Sequence, residues 1–265
     1  MLKKLIARNN ITIHGTGSKS LFLVHGYGCD QNMWRFIIPQ FRDDYKIILI
    51  DLVGSGKSDE KSYDYDKYSS LEGYAADIIE ICDALNLEDI CFVGHSVSAM
   101  IGLLAAIKKP SLFKKLIMIG PSPRYINSED YFGGFSQNDI DNLMETLDSN
   151  YLGWSSAMAP VIMGNADRPE LAAELEESFC QNNPEIARHF AKVTFLGDNR
   201  SDLKKLTTDT LIIQSNTDAI ASIKVGQFVH DNIANSKLVV LETTGHCPQL
   251  SHPNQTIEAM KQYLI

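Results

Sequence analysis

The sequence predicts an α/β fold in which a mostly parallel central sheet is covered on both faces by helices and interrupted by an all-helical lid. Three observations predict it. Short apolar runs of four or five residues alternate with longer segments of helical period. One stretch, from about residue 123 to residue 196, keeps helical period but holds no convincing strand. Between the apolar run 90–93 and the helix-like run that begins near Ala99 stands Gly94-His95-Ser96-Val97-Ser98, which puts Ser96 on a sharp strand-to-helix turn.

Taken in order, residues 11–14 predict an antiparallel edge strand, and 21–24, 47–50, 90–93, 115–119, 210–214 and 238–241 predict the buried strands. Helical period places helices at 33–41, 71–85, 97–108, 224–232 and 254–263. Pro110 closes the helix that follows Ser96, because proline neither continues a helix nor leaves its predecessor helical. Within the insertion, helices are predicted at 137–147, 152–163, 169–179 and 185–195. Ser136 is a candidate cap for the first, and Asn183 for the last, with Pro184 at its first helical position. The chain then divides into the first part of the core (1–122), the helical lid (123–196, expected after the sixth strand) and the second part of the core (197–265). A lid over the carboxyl end of the sheet would roof Ser96.

The chemistry follows from what stands at the strand ends. A serine lifted on such a turn has a helix N-terminus aimed at whatever its hydroxyl attacks, so Ser96 is the candidate nucleophile. Asp218 follows the run 210–214 and His246 follows 238–241, and in open parallel sheets such residues meet in the crevice at the strand carboxyl ends. The chain order is Ser, Asp, His. His246 would accept the serine proton and return it to the leaving group, while Asp218 would hold its tautomer and stabilise the imidazolium. The backbone N–H groups of Tyr27, in His25-Gly26-Tyr27-Gly28, and of Val97 are the candidate oxyanion donors. Asp209, Glu242 and His252 compete for the acid and base roles but fit the strand ends less well. This machinery needs no metal and no organic cofactor.

Four stretches carry a family resemblance: Asp51-Leu52-Val53-Gly54-Ser55-Gly56-Lys57-Ser58-Asp59, the Ser96 turn through Gly102, Gly120-Pro121-Ser122-Pro123-Arg124-Tyr125, and Gly133-Gly134-Phe135. From about residue 8 onward the chain resembles the α/β-hydrolases grouped with the bacterial stress regulator RsbQ, and also the plant karrikin and strigolactone receptors. Ser is common in that subgroup at the position of Ser98, where the strict motif has Gly. Tyr27 departs from it, Phe being usual there, and its hydroxyl would add a polar contact at the pocket mouth. The resemblance implies a four-helix cap over an apolar pocket and, as partner, a sensor-domain phosphatase.

Composition agrees with a soluble cytoplasmic enzyme. The 265 residues are 44% hydrophobic, enough for a large core, and a formal net charge of −9 argues against nucleic acid and anionic membrane. Five cysteines with no Cys-x-x-Cys spacing read as free thiols, Cys247 included. Residues 1–10 lack the apolar stretch of a signal peptide, and no run reaches membrane-spanning length. Gly54-Ser55-Gly56-Lys57-Ser58 imitates a phosphate-binding loop, but that motif needs Gly where Asp51 stands, so the segment reads as a turn.

Aromatic and aliphatic residues at the lid and loop positions predict a pocket lined by Tyr27, Phe132, Phe135, Trp154, Met158, Phe190, Phe195 and Ile220. With only Arg124 and Arg188 as nearby cations, the ligand should be small, uncharged and moderately hydrophobic. The sequence thus predicts a serine hydrolase acting on an ester, lactone or enol-ether compound through an acyl-enzyme, in an RsbQ-like signalling role. The alternatives are a metabolic carboxylesterase and a non-catalytic, ligand-dependent protein-binding module.

Overall fold

In the computed structural model, which describes residues 2–264, the seven strands are β1 (Thr12–His14), β2 (Lys19–Val24), β3 (Tyr45–Ile50), β4 (Ile90–His95), β5 (Phe113–Ile119), β6 (Asp209–Thr217) and β7 (Ser236–Thr244). They form one sheet in the order β1-β3-β2-β4-β5-β6-β7, parallel except for β1, which pairs antiparallel with β3. The strands are continuous apolar runs because both sheet faces are covered. Alternation along β2 shows this: Leu21 and Leu23 enter one hydrophobic cluster, while Phe22 and Val24 enter the other, and all four are inaccessible to solvent. Chain direction across the sheet reverses at β2, whose neighbours are β3 and β4. The crevice at the carboxyl ends of β2 and β4 is therefore the topological switch point.

The helices are α1 (Leu2–Arg8), α2 (Ile38–Phe41), α3 (Leu71–Ala84), α4 (Val97–Lys108), α5 (Gln137–Ser149), α6 (Tyr151–Met163), α7 (Pro169–Cys180), α8 (Pro184–Phe195), α9 (Ile223–Asn232), α10 (Pro248–Ser251) and α11 (Pro253–Leu264). Among the described residues no helix is long and apolar enough to cross a membrane. Helices α5 to α8 form the insertion, and both expected caps are in place. The Ser136 side chain accepts from the Asp139 N–H in a reciprocal capping box, and the Asn183 side chain accepts from the Glu185 N–H ahead of Pro184.

Three expectations change. The insertion follows the fifth strand in chain order, β5, not the sixth, because a single antiparallel strand precedes β2. The helix expected at 33–41 is split into a 3-10 turn at Gln31–Trp34, capped by Asp30, and the short α2. Pro39 is the reason, since its missing N–H is tolerated only in a helix's first turn. Helix α1, which helical period did not reveal, packs by Leu5 and by Arg8, whose guanidinium lies 3.1 Å from Asp77 and 2.7 Å from Glu80 on α3.

Candidate active site

Ser96 joins β4 to α4 with φ 55° and ψ −123°, a region that costs an L-residue about 1–3 kcal/mol and persists only where the surroundings over-determine it. They do so here. The Ser96 N–H donates to the Ile119 carbonyl at the end of β5 (2.8 Å), and its carbonyl accepts from the Ala99 N–H (2.9 Å). Gly94 lets the helix cross the strand, for a Cβ there would sit 2.3 Å from the Ser98 carbonyl oxygen. Ser98 fits the position where the strict motif has Gly because its hydroxyl turns away and donates to the His25 carbonyl, tying α4 to the loop after β2.

Above this turn the three residues form a relay. Ser96 Oγ is 2.8 Å from His246 Nε2, and His246 Nδ1 is 2.7 Å from Asp218 Oδ2. A carboxylate only accepts, so Nδ1 carries the proton and Nε2 is left to accept from the serine hydroxyl. The second Asp218 oxygen accepts from the N–H groups of Ile220 (2.8 Å) and Ala221 (3.1 Å), which fixes the carboxylate's direction. The His246 and Asp218 side chains are only 5% and 1% exposed. His95 Nε2 donates to the His246 carbonyl (2.8 Å); burial first, and the neighbouring His246 second, hold its pKa well below the ordinary value, so it is neutral. His25 braces the opposite loop, taking the Leu52 N–H at Nε2 (3.0 Å) and donating from Nδ1 to the Gly26 carbonyl (2.8 Å).

The Ser96 hydroxyl and the His246 ring open into an apolar cavity of about 30 Å³, walled by Tyr27, Cys29, Tyr125, Trp154, Ile162, Leu175, Phe179, Thr194, Phe195, Ile220 and Cys247. That is room for one or two waters, whereas a drug-sized ligand needs roughly 300 Å³ or more, so binding must displace part of the wall.

A family model described as alpha/beta hydrolase fold matches residues 19–253. The chain belongs to the alpha/beta-hydrolase family. It is 37% identical over 264 residues to the Karrikin insensitive 2 receptor IA of Petunia hybrida, covering 99% of this chain and 95% of the receptor. It is likewise 37% identical to the Strigolactone esterase D14 of Arabidopsis thaliana over 256 residues, 96% of each chain. Among solved structures, a hydrolase from Oleispira antarctica superposes with a TM-score of 0.96 at 42% identity, covering 99% of this chain and 96% of that one.

Within this hydrolase, Ser96, Asp218 and His246 are together, and Tyr27 and Val97 flank the serine. Val97 is the first residue of α4, so its N–H has no acceptor within the helix. Of the residues expected to line the pocket, Tyr27, Trp154, Phe195 and Ile220 do. Four do not. Phe132 is 46% exposed, with the Lys224 ammonium over its ring. Phe135 packs against Tyr125 from behind, Met158 is half-buried outside the cavity wall, and Phe190 is wedged between Tyr27 and Tyr74. Nor does the Tyr27 hydroxyl face the pocket: it donates to the Ala187 carbonyl on α8 (3.0 Å), and only the ring is presented. Arg124 pairs with Asp198 and Arg188 donates to the Leu147 carbonyl, leaving the cavity without a cation from either.

Sequence reasoning missed Tyr125, which lines the cavity together with Ser96 and whose pKa burial pushes up to about 12. It also missed Leu175 and Phe179, although their spacing of four on α7 is a signal for one shared helix face. The rival residues are elsewhere: Glu242 is exposed and bonded to Asn216, Asp209 opens β6, and His252 is bonded to Ser251.

Proposed function

We propose that this hydrolase cleaves a small, uncharged, moderately hydrophobic ester, lactone or enol-ether compound through an acyl-enzyme on Ser96, and that it serves as a ligand-responsive signalling protein. The observation that carries the reading is the buried Ser96–His246–Asp218 relay, with links of 2.8 and 2.7 Å, opening into an apolar cavity.

In this mechanism Ser96 Oγ attacks the carbonyl carbon as its proton passes to His246 Nε2. The Tyr27 and Val97 N–H groups receive the oxyanion, and losing either donor would cost roughly 3 to 4 kcal/mol of transition-state stabilisation. Collapse breaks the bond to the leaving oxygen, which takes the proton from His246. Water then gives its proton to His246 as it attacks the acyl carbon, and collapse breaks the bond to Ser96 Oγ, which takes the proton back from His246 as the acid leaves. Asp218 stays ionised throughout and stabilises the imidazolium. No step requires a metal or an organic cofactor. Helices α5 to α8 act as the lid, and residues 1–122 and 197–265 as the core beneath it.

The signalling part draws on the relatives named as karrikin receptors and on the small size of the cavity, which would couple the binding of a larger ligand to movement of its walls. By its resemblance to RsbQ the partner would be a sensor-domain phosphatase in the cytoplasm, and failure of any phosphatase to co-purify from stressed native cells would count heavily against that assignment. The deciding experiment exposes wild type and Ser96→Ala to a serine-reactive phosphonate and a short-to-long series of acyl p-nitrophenyl esters. Labelling and turnover lost only in Ser96→Ala support the nucleophile, and rapid labelling with slow turnover favours the receptor role over a metabolic esterase. A wild type that neither labels nor turns over sinks the enzymatic reading and leaves the ligand-dependent binding module.

A further inference from the structure

Three contacts hold the backbone around His246, and one of them comes from outside the sheet. The Gly245 N–H donates to the Thr217 carbonyl at the end of β6 (2.7 Å), and the His246 carbonyl accepts from His95 at the end of β4. The His246 N–H, however, donates to the Ile162 carbonyl (2.8 Å), in the last turn of α6. That carbonyl is one of those a helix end leaves without an internal partner. The backbones touch at this point: a Cβ on Gly245, which has φ 96°, would lie 1.9 Å from the Met163 carbonyl oxygen.

What keeps these two backbones together is Asn165. Held at φ 54°, it turns the chain after α6 so that its side-chain Nδ2 donates both to the Met163 carbonyl and to the Thr244 carbonyl, at 2.8 Å each. One amide thus separates two carbonyls from opposite sides of the contact, immediately before His246. Arg168 sets the amide's orientation: Nη2 donates to Asn165 Oδ1, and Nη1 donates to the Ser251 carbonyl. The clamp therefore spans the loop from Thr244 to Ser251.

We infer that Asn165 is a positioning residue for His246, oriented by Arg168, and that through it the end of α6 sets the distance between His246 and Ser96. The inference rests on the proposed serine mechanism. It also implies that any displacement of the α6–α7 turn moves His246, so the relay is complete only when that turn is seated.

The test compares wild type with Asn165→Asp, which keeps the size and turn preference but sets an acceptor against two carbonyls, and Asn165→Gly, which keeps the left-handed backbone and removes the amide. Arg168→Met removes the orienting group. Active sites are counted by phosphonate labelling, and kcat and KM are measured per labelled site on a short-chain p-nitrophenyl ester. The proton shared by His246 Nδ1 and Asp218 is followed as a low-field resonance by NMR. We expect kcat per site to fall about tenfold or more in Asn165→Asp with KM within about twofold, a smaller fall in Asn165→Gly, and a broadened or shifted resonance in both. A kcat per site within about twofold of wild type, with the resonance unmoved, would overturn the inference even if the melting temperature drops. A wild type that does not label points instead to failure of the serine mechanism; the resonance then decides positioning alone, and its survival in both variants overturns it. Should Asn165→Asp fail to fold, Asn165→Gly and Arg168→Met carry the same comparison.

Discussion

His95 carries the clearest consequence at the scale of one residue. Its ring is fully buried, neutral, and bonded through Nε2 to the carbonyl of His246, with its pKa well below the ordinary value of 6.5. An unfolded chain would protonate it below about pH 6.5, whereas the folded chain does not, so in that range the unfolded state binds more protons. Stability should therefore be level above pH 6.5 on this account and fall as pH drops below it, by at most about 1.4 kcal/mol per pH unit for this histidine. Chemical denaturation between pH 7.5 and 5.5 (about two units apart) checks this. His95→Asn should flatten the slope, and an equally steep slope in that variant would remove His95 as its cause. Ser96, Asp218 and His246 were legible at this scale because each stands one short turn beyond an apolar run. Tyr125 was not, because it joins the cavity wall beside Ser96 only once the chain beyond β5 has folded over it.

At the scale of elements, the helical insertion is tied to the loops after β2 and β3 by polar bonds as well as by its apolar face. Arg35 makes two bonds to Glu174 on α7 (2.6 and 2.7 Å), Ser178 donates to the Gly28 carbonyl (2.8 Å), and Tyr63 meets His189 on α8 (2.8 Å). Leu175 on α7 lines the cavity at Ser96 and also a larger polar groove between α7 and the 29–33 turn, a groove that shares Cys29 with it. Leu175→Ala should cost about 2–5 kcal/mol of stability and join the two spaces, shifting preference toward longer acyl chains. Specificity constants over the ester series read the shift; an unchanged order of preference would mean that this wall does not limit the ligand. The insertion's four helices were predictable within a few residues, because the capping box at Ser136, the Asn183–Pro184 start and the helical period are all local signals. Which faces turn inward was not. An apolar residue of the insertion satisfies the same pattern whether it meets the cavity, as Phe195 does, or Tyr74 on α3, as Phe190 does.

Taken as a whole molecule, the chain buries Cys29, Cys82, Cys91 and Cys247 and exposes Cys180. Burial pushes all four buried thiols up, which leaves them protonated and poor nucleophiles. An excess of a thiol reagent should therefore modify Cys180 quickly and the other four only as the protein unfolds, with all five reacting in denaturant. Rapid native-state modification of Cys247 would instead revive a redox role for the thiol beside His246. By itself the sequence determined the parallel sheet, the run of helices after β5 and the placing of Ser96, Asp218 and His246 at strand ends, where the structure brings them together. These follow from local periodicity, turn chemistry and the order of residues at strand ends, which short segments specify without knowing their neighbours. Only the tertiary structure decided that Phe132, Phe135, Met158 and Phe190 stand outside the cavity, that Tyr27 gives its hydroxyl to α8, and that Asn165 reaches the loop of His246. Most of those outcomes depend on contacts between distant segments, 160 residues apart for Tyr27 and Ala187 and 79 for Asn165 and Thr244, where a side chain's direction is set by the packing of several elements at once rather than by the pattern of its own.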